Sequence, residues 1–327
     1  MPTLELGPAG ALTAPDGTTG HGIYLLATTV ARTGQSGQER LTLTLEDKTG
    51  YITGVVWPEA RASVACPTIL PAPVRVQATV QHYDGNQELK VQALAGVDHA
   101  EVARATQLLP RYLCPQIAQP AFDQLAALEQ ALPPPLDAFL REILLDPAIG
   151  LPFLSCRGSV AHHHACPSGL LVHCTEMLDL AFNVTRRIIP DDAWSPFIAQ
   201  MSYLLHDLGK LRSVGTTCRA RNALVVRHEL LTVEMLAPHL HWLEARNPDL
   251  AAGLRYVLGY LATPASARKP SDYVVAEIVA TLDQWSAGAF NHRDLDHLLH
   301  GWKQQPATIH ALPHREPGRQ QPAVHYG

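Results

Sequence analysis

The stretch Ala199-Gln-Met-Ser-Tyr-Leu-Leu-His206-Asp207-Leu-Gly-Lys210 decides how the second half of this chain is read. Phe197, Ile198, Met201, Leu204, Leu205 and Leu208 recur at helical spacing, so one face of a helix is apolar. The spacing predicts a start at Ser195-Pro196, with serine as N-cap and proline at the first helical position, and a stop at Gly209. His206 and Asp207 then fall in the last turn of a buried helix. A buried carboxylate is costly unless a cation offsets it, so a basic side chain or a metal is expected beside Asp207.

Outward from this stretch, the composition bounds the class. The chain has 327 residues, which suits two domains, and 46% hydrophobic residues, which suits a globular core. No apolar run is long enough to span a bilayer. The start, MPTLELGPAG, lacks the basic and apolar regions of a signal peptide, so a cytoplasmic location away from membranes is expected. Cys66, Cys114, Cys156, Cys166, Cys174 and Cys218 are scattered without paired spacing and read as reduced thiols. The net charge of -5 gives no global footprint for a polyanion, so such a site must be local.

Residues 1–98 read as strands. Gly22 to Val30 is rich in β-formers, and Leu41, Leu43 and Leu45 alternate with Thr42, Thr44 and Glu46. Tyr51 to Trp57 follows the turn Asp47-Lys-Thr-Gly50. Val74 to His82 and Glu88 to Leu94 flank the hairpin signal Asp84-Gly85. Five short strands predict a small closed barrel. The segment resembles an OB-fold of the nucleic-acid-binding kind, carried by Leu41 to Gly50, Tyr51 to Trp57 and Val76 to Val91. That resemblance implies single strands stacked on aromatics in a positive groove. The candidates are Tyr51, Trp57, His82 and Tyr83, with Arg40, Lys48, Arg75 and Lys90; for each the alternative is barrel filling or a solvated charge.

Between Gly96 and Glu101 the period changes from strand to helix, which predicts an all-α region over 99–302. Helices are expected over 101–109, 121–132 and 136–145, then from the cap Ser168 to Ile189, over 229–243 and over 273–285. The second informative stretch is His162-His163-His164-Ala-Cys-Pro-Ser168-Gly-Leu-Leu-Val-His173. His173 borders an apolar face, and a histidine tract inside a domain is uncommon. Together with His206-Asp207 the set suits metals that accept imidazole and carboxylate. Asp283 lies on a largely buried helix and is read as a further ligand. His239, His241, His292, His297 and His300 read as surface residues. The tail 303–327, rich in Pro, Gln and His, reads as disordered.

These residues resemble the pattern of HD-domain phosphohydrolases: a histidine (His173), a later His-Asp pair (His206-Asp207) and a still later aspartate (Asp283). The architecture implied is α+β with two domains, an N-terminal all-β OB-fold barrel followed by an all-α HD bundle. The phrase His163-His164-Ala-Cys-Pro-Ser-Gly-Leu-Leu-Val-His173, behind an OB-fold, is similar to that of YhaM-type exoribonucleases. This implies metal-dependent trimming of single-stranded RNA, with DNA as a further substrate, from the 3′ end. It also implies manganese, while the ligand set permits iron, cobalt or nickel. Lys210 would contact a phosphate, and His228 with His163 or His164 would bind a second metal or the leaving oxygen. The His-His pair of that family has no counterpart in Leu258-Gly-Tyr260-Leu-Ala262. One or two ions, a homo-oligomer, and a form that binds without cutting therefore stay open. The same histidine phrase also resembles TraI/MobH relaxases, which act on DNA.

Overall fold

The computed structural model describes residues 4–33, 39–83, 85–161, 164–215 and 225–289. Its first part is a sheet of six strands: β1 (Leu4–Glu5), β2 (Thr19–Thr33), β3 (Glu39–Asp47), β4 (Gly50–Val56), β5 (Ala72–Tyr83) and β6 (Asn86–Gly96). The order is β1-β2-β3-β4-β6-β5, and β5 pairs back onto β2, so the five long strands close into a barrel. All long-strand pairs are antiparallel except β4 with β6, which is parallel. This is the Greek-key order of an OB-fold, as the sequence leads one to expect. The predicted alternation is realised: Leu41, Leu43 and Leu45 are buried, while Thr42 and Thr44 are half-buried. Leu43, Leu45, Ile52, Val76, Val80, Leu89 and Val91 fill the interior with Tyr24. Gly85 sits at φ +75° in the β5–β6 hairpin, a conformation a side chain would strain.

From His99 onward the described chain is helical. After α1 (Pro8–Thr13), which lies between β1 and β2, short α2 (Ala105–Leu108) leads into α3 (Gln119–Ala131), α4 (Leu136–Leu144) and α5 (Gly150–Ser155). Then come α6 (Gly169–Thr175), α7 (Leu178–Ile188), α8 (Ser195–Leu205), α9 (Lys210–Ser213), α10 (His228–Glu244), α11 (Pro248–Ala262) and α12 (Val274–Ala289). Phe122, Phe139, Phe153, Leu204 and Leu254 are among the residues of one continuous helical core, which also takes in Leu25 from β2. Barrel and helices are further tied by the Tyr112 hydroxyl, which donates to Glu46 at 2.7 Å, and by Lys48 N, which donates to Gln107 O at 2.9 Å.

Several local expectations are corrected. The stretch 168–189 is two helices, not one. The Thr175 hydroxyl donates back to Leu171 O, and Met177 at φ -112°, ψ 12° leaves the helical region. Ser168 does not cap with its side chain; it adopts φ 62°, and its hydroxyl donates to Leu154 O at 2.5 Å. Ser195 is the first helical residue instead of the cap, and the Asp192 carboxylate accepts from Trp194 N, Ser195 N and the Ser195 hydroxyl. Gly209 does not stop the long helix, which ends at Leu205. It lies where a Cβ would come within 1.9 Å of His228 O, so only glycine lets α10 approach. His239 is not a surface residue: its ring is largely buried and contacts Asp146 at 2.9 Å.

The expected tail 303–327, together with His292, His297, His300 and Cys218, lies outside the described residues. Among those described, Cys66, Cys114, Cys156, Cys166 and Cys174 carry no disulfide. No described helix is long and apolar enough to cross a membrane.

Candidate metal centre

Four elements meet around His173, His206, Asp207 and Asp283. His173 closes α6, and its carbonyl accepts from the Tyr203 hydroxyl of α8 at 3.0 Å. His206 and Asp207 follow α8 directly, in a turn held to α10 by Thr232. The Thr232 hydroxyl donates to His206 O at 2.9 Å and accepts from Gly209 N at 2.8 Å. Asp283 comes from α12. Each placement follows from a helix whose apolar face anchors it, so the polar ends converge.

The geometry is tight. His173 Nε2 lies 3.1 Å from Asp207 Oδ2 and 3.3 Å from Asp283 Oδ1. His206 Nε2 lies 3.5 Å and 3.4 Å from the same two oxygens. The His206 ring donates Nδ1–H to Tyr203 O at 2.6 Å, which leaves the Nε2 lone pair facing inward. That Nε2 is buried and makes no hydrogen bond of acceptable geometry among the described residues. Two imidazole nitrogens and two carboxylate oxygens at these spacings match the edges of a coordination shell with bonds of about 2.1 Å. The four residues form a group able to hold a metal ion. Nitrogen and oxygen donors without thiolate suit first-row divalent ions.

Electrostatics agree with a cation-seeking site. Burial alone would raise the Asp207 carboxyl, but His206, Lys210, His173 and His228 hold it well below the usual carboxylate range. Burial likewise opposes Asp283, and contacts from His173 and His206 hold it low. Burial would lower His173, yet the carboxylates of Asp207, Asp283 and Glu176 push it up to about 10. His206 is raised for the same reason, against its burial. Lys210 Nζ lies 2.5 Å from Asp207 Oδ2, and His228 Nε2 lies 3.0 Å from Asp207 Oδ1, so both expected partners reach the centre.

Of the tract, His163 lies outside the described residues, as does His162. His164 is not among the four but forms with His173 and Glu176 a second group that could hold an ion: its Nε2 is 3.2 Å from Glu176 Oε1, and its ring centroid is 5.4 Å from that of His173. The sequence reading missed Glu176 and Ser286. Ser286 Oγ lies 2.8 Å from His173 Nδ1 and donates to Glu176. Each follows one of the four by three residues, Glu176 after His173 and Ser286 after Asp283, a spacing that singles out each residue but does not pair the two. The stretch Leu258–Ala262, which carries no His-His pair, packs Leu258 and Leu261 into the core.

The barrel candidates separate into groups. The Arg40 guanidinium lies 5.8 Å from the Trp57 ring and 5.6 Å from the Tyr83 ring. A cleft of about 340 Å³ opens there, lined by Ala31, Arg40, Leu41, Trp57 and Arg61 among others. Tyr51 is 59% exposed, so it does not fill the barrel, and it lies 5.8 Å from Tyr112, away from that trio's contacts. Lys90 pairs with Glu59 at 3.5 Å, Arg75 with Glu101 at 2.9 Å, and His82 approaches Asp16 at 3.8 Å. Lys48 is exposed.

No protein-family model matches the chain. Among solved structures, the second OB-fold domain of replication protein A from Methanococcus maripaludis matches 29% of this chain and 96% of its own, at 15% identity and a TM-score of 0.23. The barrel assignment rests on the strand order and not on that likeness. Among curated proteins, the 3′-5′ exoribonuclease YhaM of Listeria monocytogenes (strain CLIP80459) is 26% identical over 196 residues, 57% of this chain and 58% of that protein. The YhaM of Bacillus pumilus is 26% identical over 216 residues, 61% of this chain and 63% of its own length. The matched stretch thus spans less than two thirds of these relatives. Over more than half of its length, the chain resembles the YhaM 3′-5′ exoribonucleases.

Proposed function

We propose that this chain is a metal-dependent phosphodiesterase of the HD type that shortens single-stranded nucleic acid from its 3′ end, with RNA as the principal substrate. In this reading, residues 1–98 form a strand-binding barrel and residues 99–302 the catalytic bundle. The carrying observation is the convergence of His173 Nε2, His206 Nε2, Asp207 Oδ2 and Asp283 Oδ1 within 3.1 to 3.5 Å. The resemblance to YhaM enzymes supports the substrate and the direction. Manganese is the favoured ion, with iron, cobalt and nickel compatible with the donors. The scattered cysteines fit a reducing, cytoplasmic setting.

A divalent ion held by these four residues supplies Lewis acidity at a phosphoryl oxygen and makes water acidic enough to serve as a nucleophile near neutral pH. The chain's own residues do the rest. His173 and His206 present nitrogen lone pairs, while Asp207 and Asp283 supply the negative charge that holds the ion. Lys210, beside Asp207, would neutralise the scissile phosphate. His228, beside Asp207 Oδ1, is placed to bind a second ion or the leaving oxygen. Arg40, Trp57 and Tyr83 grip the strand by charge and stacking, which gives affinity that falls with salt.

The test is a time course on 5′-labelled single-stranded RNA and DNA with Mn²⁺, beside Asp207→Ala. A descending ladder of labelled fragments, absent in the variant, supports the proposal. A single internal cut would favour a relaxase-like activity. Intact substrate that still shifts in a gel would make the chain a binding module.

A further inference from the structure

Glu176 lies one helical turn beyond His173, and Ser286 lies one turn beyond Asp283. The Ser286 hydroxyl touches both Glu176 and His173. A serine hydroxyl has one proton to give, and an ionised carboxylate only accepts. The proton therefore goes to Glu176, and Ser286 Oγ accepts from His173 Nδ1–H across 2.8 Å. With Nδ1 carrying its proton there, Nε2 is the nitrogen left facing Asp207 and Asp283. His206 reaches the same state by another route, through the Tyr203 carbonyl. The same oxygen, Glu176 Oε1, is also approached by His164 Nε2 at 3.2 Å and by His173 Nδ1 at 3.4 Å.

We infer that Glu176 and Ser286 are positioning residues for the metal centre, acting as a relay that fixes the ring orientation and tautomer of His173. The inference rests on the metal centre proposed above. It gives α12 two tasks in one docking event: Asp283 brings a ligand, and Ser286 aims a second ligand borne by α6. It also makes His164 an outer tether of the relay and not a ligand. Partners of this kind around a ligating histidine govern affinity, because a ring free to flip or to change tautomer must be reordered each time an ion binds.

The test is calorimetric titration of the full chain with Mn²⁺ alone, for Glu176→Ala, Glu176→Gln, Ser286→Ala and His173→Ala. Glu176→Ala and Ser286→Ala are expected to raise Kd about 10- to 100-fold with unchanged stoichiometry. Glu176→Gln should recover only part of the loss, because its amide oxygen still accepts from Ser286 but the carboxylate charge is gone; full recovery by this near-isosteric residue would mean a role in packing alone and overturn the relay. If Glu176→Ala does not fold, Glu176→Gln and Ser286→Ala decide the matter. Wild-type affinity in Glu176→Ala and Ser286→Ala, with binding lost in His173→Ala, overturns the relay but leaves the centre standing. Loss of one metal equivalent in Glu176→Ala, with the other bound as before, would make Glu176 a ligand and also overturn it. Unchanged binding in His173→Ala would remove the centre, and the relay with it.

Discussion

Lys210 Nζ lies 2.5 Å from Asp207 Oδ2, the same oxygen that His173 Nε2 approaches at 3.1 Å. The lysine therefore compensates the charge of a carboxylate that a metal would also need. Replacing it by methionine keeps most of the aliphatic stem and removes the cation. Breaking a buried pair on one side costs about 3 kcal/mol, so metal-free Lys210→Met should melt well below the wild type. Added Mn²⁺ should then stabilise the variant more than the wild type, while cleavage falls through loss of phosphate contact. Thermal melts with and without Mn²⁺ check this; equal metal-induced shifts would speak against a shared oxygen.

Metal affinity should rise with pH. His173 is pushed up to about 10 in the metal-free protein, so it is protonated at neutral pH, and an ion must displace that proton from Nε2. The sign for folding is the reverse. A group whose folded pKa is raised contributes its full stability below its unfolded value of about 6.5, and loses it as pH climbs through the folded value. Between pH 7 and 9 the apparent Mn²⁺ affinity should grow at least about tenfold per pH unit, with at least one proton released per ion. Titration in buffers of different ionisation enthalpy counts that proton. A pH-independent affinity would mean that His173 is not displaced.

Gly209→Ala should be severely damaging although the substitution is small. The new Cβ would meet His228 O at 1.9 Å and Thr232 N at 2.6 Å, both main-chain atoms that cannot swing aside. Forcing α10 outward should cost about 3 kcal/mol and carry His228 away from Asp207. Denaturant melts give the stability. Metal titration should show a weakened centre even where the variant is still folded.

In the barrel, Trp57→Ala placed in an Asp207→Ala background separates binding from turnover. Loss of one stacking platform should weaken single-stranded RNA binding by about 1–3 kcal/mol, with little change in melting because Trp57 is only half-buried. Arg40→Ala should lower the slope of log affinity against log salt by about one. Tyr51→Ala, which faces Tyr112 and not Arg40, is expected to matter less. Fluorescence anisotropy at several salt concentrations measures all three.

Much of the fold is legible in the sequence. The alternation at Leu41, Leu43 and Leu45 and the switch to helical period after Gly96 are local signals, and local signals survive folding. The candidate group of His173, His206, Asp207 and Asp283 was legible because buried carboxylates and histidines at the ends of apolar helices are expensive without a partner. What escaped were contacts between distant segments. Glu176 and Ser286 are 110 residues apart, and no spacing rule pairs them. Gly209 looked like a helix stop because glycine often is one; its actual role, admitting the backbone of His228, depends on a helix that arrives later in the chain. Ser168 and Ser195 do not cap because other acceptors hold their hydroxyls, Leu154 O from an earlier helix for Ser168 and the local Asp192 carboxylate for Ser195.

The most direct test of the account is an anomalous diffraction experiment at the manganese edge on crystals of the full chain grown with Mn²⁺. The account predicts a peak within bonding distance of His173 Nε2, His206 Nε2, Asp207 and Asp283. A crystal saturated with Mn²⁺ but empty at that point, or with its ion held by His164 and Glu176 instead, would contradict it.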